Sequence, residues 1–107
     1  MRIKKMHTKY ILFSVAMMGV GFAEAGDPDA GAGLAMVCQA CHGPGGNSAI
    51  PSMFPSLAGR DAGELAALLT AYRDGDKTDP QMAPQAQGLS DQEIKDLAAY
   101  FSSQTAQ

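Results

Sequence analysis

Five residues, Cys38-Gln39-Ala40-Cys41-His42, restrict this chain more than any others. They read C-x-x-C-H, the pattern of c-type haem attachment. The chemistry asks for this spacing. Two thiols one helical turn apart can form thioether bonds to the two vinyl groups on one side of a porphyrin. The next residue, His42, is then held under the ring, where its imidazole can bind iron. Three other readings compete. A Cys38–Cys41 disulfide is open to an oxidising compartment but leaves His42 unexplained. A thioredoxin-like redox pair needs a βαβ context, and no segment alternates as a strand would. A structural zinc needs four ligands, and two Cys and one His would have to recruit carboxylates. The haem reading leads all three.

The 107 residues allow one domain. Arg2, Lys4, Lys5 and Lys9 form a basic leader, Ile11 to Phe22 is uncharged and mostly apolar, and Ala23-Glu24-Ala25 offers small residues to a signal peptidase. Residues 1–25 are therefore expected to be a cleaved signal peptide. Residues 26–107 are expected to be one monohaem domain exported to the periplasm. An uncleaved anchor is the rival, but the apolar run falls short of the roughly 20 residues a spanning helix needs. No Cys lies near the cleavage site to carry a lipid, so no membrane anchor is expected.

Removing Glu24 leaves 10 of 11 acids, and removing the four leader cations leaves 4 of 8 bases, a formal charge of −6 for the exported domain. Nucleic-acid binding draws on Lys and Arg to neutralise phosphates, so this class is excluded. A partner with a basic patch suits the charge better. About 80 residues is marginal for a self-sufficient core, and domains of that size are usually stapled by disulfides, metals or cofactors. This one has no Trp and few aromatics. A large apolar cofactor would supply the missing core.

Three helices are predicted. The first runs from about Asp29 to Val37, capped by Asp27 or Asp29, and leads into the Cys motif. The second starts at Asp61 with Glu64 at the box position, places Leu65, Leu68, Leu69 and Tyr72 on one face, and stops at Gly75. The third starts at Ser90 with Glu93, buries Ile94, Leu97, Ala98 and Phe101 with Tyr100 beside them, and turns Asp91, Lys95 and Asp96 largely outward. Residues 43–60 and 74–89 read as loops rich in Gly and Pro. Loops so long in so small a domain imply something central to pack against.

The sixth iron ligand follows by elimination. The other His, His7, lies in the expected signal peptide, so bis-His ligation within the exported domain is excluded. Met36, Met53 and Met82 remain. Met36 is two residues from Cys38, too near to reach the far face of the ring, and is expected in the core. Met82 stands 40 residues after His42 in the Pro-flanked loop Asp79-Pro80-Gln81-Met82-Ala83-Pro84. Those prolines lower the entropy lost on closing the loop. Met82 is favoured over Met53, and His/Met ligation raises the reduction potential relative to bis-His.

The chain resembles the class I cytochromes c, most closely the small bacterial c-553 type and a single domain of cytochrome c4. The resemblance rests on Gly31; Cys38 to His42 with Gly43; Gly46-Asn47-Ser48; Ile50-Pro51; Phe54-Pro55-Ser56-Leu57-Ala58-Gly59; Tyr72-Arg73-Asp74-Gly75; the Met82 loop; and Gly88-Leu89-Ser90 leading to Leu97-Ala98-Ala99-Tyr100-Phe101. It implies an all-α cytochrome c fold wrapped round one covalent haem c, with N- and C-terminal helices crossing at Gly31 against Leu97 and Tyr100. It implies that Pro55 offers its carbonyl to the Nδ1 proton of His42. Many c4-like sequences carry two Met where this one has Gln81-Met82, which again points to Met82. Arg60 stands where relatives often have Gln; it could reach a haem propionate, though a solvated Arg is the commoner case. Cytochrome c4 has two such domains, whereas a single Cys motif implies one haem.

The function expected is one-electron transfer between redox proteins such as an oxidase, reductase, dehydrogenase or reaction centre, by transient docking and without enzymatic activity. The alternative is a haem protein with an open sixth position, acting as a peroxidase-like enzyme or a gas or redox sensor.

Overall fold

The computed structural model describes residues 25–107, so all of the expected signal peptide but its last residue lies outside them. Five helices and one short 3₁₀ turn follow in order: α1 Pro28–Leu34, α2 Met36–His42, the turn Pro44–Gly46, α3 Ala62–Asp74, α4 Met82–Ala86 and α5 Asp91–Ser102. No strand occurs among the described residues, in keeping with the all-α expectation.

Local chemistry sets most of the boundaries. The Asp27 carboxylate accepts from Asp29 N at 2.9 Å, and Pro28 fills the first helical position, where no N–H is needed. Asp61 caps α3 by accepting from Glu64 N at 2.9 Å, and Gly75 ends it in the left-handed conformation. Ser90 and Glu93 complete both halves of a capping box at the start of α5. The expected single helix to Val37 is instead two helices, α1 and α2, meeting at Ala35. Backbone bonds run through the joint, from Ala35 N to Gly31 O and from Gln39 N to Ala35 O. Ala35 itself is fully buried.

α1 lies across α5, and α5 in turn packs on α3. The crossing closes on Gly31: a Cβ there would overlap the Asp96 carbonyl oxygen, reach 2.6 Å from the carbonyl carbon and 2.9 Å from Tyr100 Cβ. Ala35, Leu65, Leu97, Ala98 and Phe101 form the contiguous core beneath it.

Three expectations are corrected. Asp96 does not face outward; it is 7% exposed. It accepts from Asp27 N at 2.8 Å and from Gln92 Nε2 at 2.9 Å. Those bonds, the Asp27 N–H foremost, hold its carboxyl below the usual carboxylate range and make its burial tolerable. Met36 is not core but 74% exposed, because Gly31, Ala35, Cys38 and His42 take the inner face at helical spacing and Met36 falls outside it. The 74–89 segment is not all loop, since α4 forms within it.

Candidate functional site

α2 ends on the haem-attachment motif, and the two long connections fold back toward it. Between them lies a cavity of about 520 Å³, within the roughly 300–1,000 Å³ usual for cofactor and ligand sites. α2 contributes Cys38, Cys41 and His42; the 51–60 segment Met53, Phe54, Pro55 and Leu57; α3 Leu65, Leu68, Leu69 and Tyr72. Pro80, Met82 and Pro84 close one side, and Leu97, Ala98 and Phe101 form the floor. Among the described residues, Arg60 and Asp79 are the only Asp, Glu, Lys or Arg side chains on its border. All five residues singled out in the sequence (Cys38, Cys41, His42, Pro55 and Met82) border this one cavity. So does Met53, the rejected ligand candidate, which is 65% exposed where Met82 is half-buried.

His42 is 7% exposed, and its Nδ1 lies 2.6 Å from the Pro55 carbonyl oxygen. A carbonyl oxygen can only accept, so Nδ1 donates to it, and in the neutral imidazole that leaves the Nε2 lone pair free for a metal. The Phe54 ring meets the imidazole edge-on at 6.4 Å. The segment carrying Pro55 is tied to the turn after the motif. Ser48 N donates to Ser56 Oγ at 2.9 Å, and Leu57 N to Gly46 O at 2.7 Å. Gln39, inside the motif, accepts from Gly45 N at 2.6 Å. Cys38 and Cys41 are not joined in a disulfide. Burial pushes the Cys38 thiol up.

Sequence reasoning overlooked two residues beside the site. Asp79 Oδ1 accepts from Gln81 N at 2.8 Å and Met82 N at 3.1 Å. These bonds hold its carboxyl low. The Asp-Pro pair is a turn signal that could have announced this. Arg73 pairs with Asp74 at 2.9 Å and Asp91 at 2.8 Å and donates to Leu89 O at 3.2 Å, joining α3 to the start of α5. No local pattern foretells that tie. Arg60 pairs with Glu64, four residues on in α3, at 3.1 Å.

Two thiols to bond the ring and an imidazole nitrogen to bind iron, set round a mostly apolar cavity of this size, suit a covalently bound porphyrin iron, and the Met82 thioether borders the same cavity. The residues present fit the group. Among the described residues, no helix is long and apolar enough to cross a membrane.

Comparison with known proteins agrees. Residues 26–101 match the family model described as cytochrome C oxidase, cbb3-type, subunit III. Cytochrome c-554(548) of Halomonas halodenitrificans is 46% identical over 83 residues, which cover 75% of this chain and 99% of that protein. Cytochrome c4 of Pseudomonas aeruginosa is 43% identical over 94 residues, 88% of this chain but 46% of that protein. The crystal structure of reduced recombinant cytochrome c4 from Pseudomonas stutzeri superposes with a TM-score of 0.73 at 40% identity, covering 78% of this chain and 48% of that one. The chain thus spans nearly the whole of the first relative and about half of the c4 proteins. Haem c, bound covalently, is the cofactor of such a domain. A helical frame crossing at Gly31, a C-x-x-C-H motif at the mouth of an apolar cavity and these relatives lead to one conclusion: the chain belongs to the cytochrome c family, as a single class I domain.

Proposed function

We propose that this cytochrome is a periplasmic electron carrier whose haem is bonded to Cys38 and Cys41 and whose iron lies between His42 and Met82. The observation that carries the reading is the convergence of these four side chains on one apolar cavity, with His42 Nδ1 already engaged by Pro55. The haem supplies a one-electron Fe(III)/Fe(II) couple. The chain's own residues do the rest. Cys38 and Cys41 fix the ring's position. The Pro55 carbonyl orients the imidazole and raises its basicity. Met82, a soft neutral ligand, favours the reduced state relative to a second imidazole. Leu65, Leu68, Leu97 and Phe101 exclude water from the ring. With His42 and Met82 both holding the haem iron, no open position would remain for a substrate, so the protein would act as a carrier and not as an enzyme. Export by the leader, together with the acidic balance of the domain, suits brief docking on other exported redox proteins through a small interface.

Replacing Met82 by Ala tests the ligand. The expected result is loss of the far-red methionine–iron charge-transfer band in the ferric protein, a lower reduction potential and new binding of imidazole. Met53→Ala is expected to change none of these. A wild-type ferric protein that is high-spin and binds imidazole readily would instead support an enzymatic or sensing site with an open sixth position.

A further inference from the structure

Met82 is the first residue of α4, a helix of five residues. So short a helix does not stand by itself, and its N-cap, Gln81, makes no side-chain capping bond. Its support comes from outside. At the base of the connection, Arg73 Nη1 donates to Leu89 O at 3.2 Å, and Gln87 Nε2 donates to Arg73 O at 3.1 Å. At the tip, Asp79 does the holding. One of its carboxylate oxygens accepts from both Gln81 N and Met82 N, at 2.8 and 3.1 Å, and its carbonyl accepts from Ala83 N at 2.9 Å. Pro80, between donor and acceptor, has a fixed φ and no N–H of its own to compete. Asp79 and Met82 border the same cavity.

We propose that Asp79 is the positioning residue of the axial methionine: by fixing the Met82 N–H it holds the first turn of α4 in the orientation that keeps the thioether over the cavity. The inference rests on Met82 being the ligand. A loop that opens exposes the sixth position, and an exogenous ligand binds with an apparent affinity proportional to the open fraction. Asp79 therefore controls how closed the site is, through its bonds to the Gln81 and Met82 N–H groups.

Imidazole binding to the ferric holoprotein reads that fraction. Asp79→Ala is expected to raise the apparent imidazole affinity about tenfold and to weaken the far-red band. Asp79→Asn, which keeps an acceptor oxygen at the same place, is expected to stay near the wild type. A residue with a merely structural role would lower the unfolding temperature without moving imidazole affinity, and that result overturns the proposal, as does an Asp79→Asn protein as open as Asp79→Ala. Amide exchange at Met82 in the wild-type holoprotein extends the test without any variant: protection is expected, and exchange at the free-peptide rate overturns it. Met82→Ala, run alongside, separates the two levels. If Met82→Ala changes neither band nor imidazole binding, the ligand assignment itself falls. If it changes both while Asp79→Ala changes neither, only the role of Asp79 falls.

Discussion

Gly31 and Gly33 stand two residues apart on α1, yet the structure asks opposite things of them. A Cβ on Gly31 would overlap the Asp96 carbonyl oxygen and come within 2.9 Å of Tyr100 Cβ, where real Cβ contacts essentially never fall below 3.0 Å. The obstacle is backbone inside α5, which cannot rotate aside, so the whole crossing must open. Opening it by even half an ångström to one ångström forfeits a quarter to a half of each contact across the interface. Overpacking of this kind costs about 1–3 kcal/mol, and a backbone obstacle belongs at the upper end. Helix propensity returns about 1 kcal/mol for Gly→Ala, leaving a net loss of about 2 kcal/mol for Gly31→Ala. For a domain of this size that lowers the unfolding midpoint by roughly 8–16 °C. A Cβ on Gly33 meets nothing within 4 Å, so Gly33→Ala is expected to leave stability unchanged or raise it by about 0.5–1 kcal/mol. Thermal unfolding of the two holoproteins, followed by far-ultraviolet circular dichroism, compares them directly. If both variants unfold at the same temperature, the close crossing is refuted.

Two further outcomes follow from the helix ends and the buried carboxylate. Ser90→Ala removes one half of the α5 capping box and is expected to cost about 1 kcal/mol in denaturant unfolding, with no change in the optical spectrum. Asp96 has a folded-state pKa below its unfolded value, chiefly because it accepts from Asp27 N. Its contribution to stability is therefore complete above the unfolded pKa of about 3.9 and is lost as pH falls through the lower folded value. Asp96→Asn should flatten the acid limb of the stability–pH curve relative to wild type; parallel acid limbs would remove Asp96 from the account.

What was legible in the sequence was local. The Cys motif, the Asp61 and Ser90 caps and the Gly75 stop each depend on residues within a turn of one another, so spacing alone reveals them. What escaped depends on partners far along the chain. Asp96 has the look of a solvent-facing acid on α5 until the Asp27 N–H, 69 positions away, arrives to satisfy it. Met36 looks like core by its chemistry, but Gly31, Ala35, Cys38 and His42 share the inner face at helical spacing and leave it outside. α4 was hidden by its proline. Pro84 is the third residue of the helix, within the first turn, where a missing N–H breaks no intrahelical bond. The helix exists because Asp79 and Arg73 hold its surroundings, which no periodicity records. The Pro55 contact was visible solely through family resemblance, since a backbone carbonyl leaves no mark in a sequence.

The distribution of buried residues explains why the cavity belongs to the fold and is not a defect in it. The buried apolar set is Ala35, Ala58, Ala86 and Ala98 with Leu65, Ile94, Leu97 and Phe101. Half are alanines, which bury little area at roughly 25 cal/mol per Å². Meanwhile Phe54, Leu57, Leu68, Leu69 and Tyr72 remain partly exposed around the cavity. The helices α1 and α3 each pack directly on α5, through Gly31 and the Leu65–Leu97–Phe101 cluster. The Pro55 and Met82 segments both border the cavity. An apolar ring seated there would cover the partly exposed side chains of both segments at once. The stabilising role and the redox role thus require the same placement. On the proposed ligation by His42 and Met82, the haem that they would hold also completes the core, so changes that loosen either segment should lower stability and expose iron together.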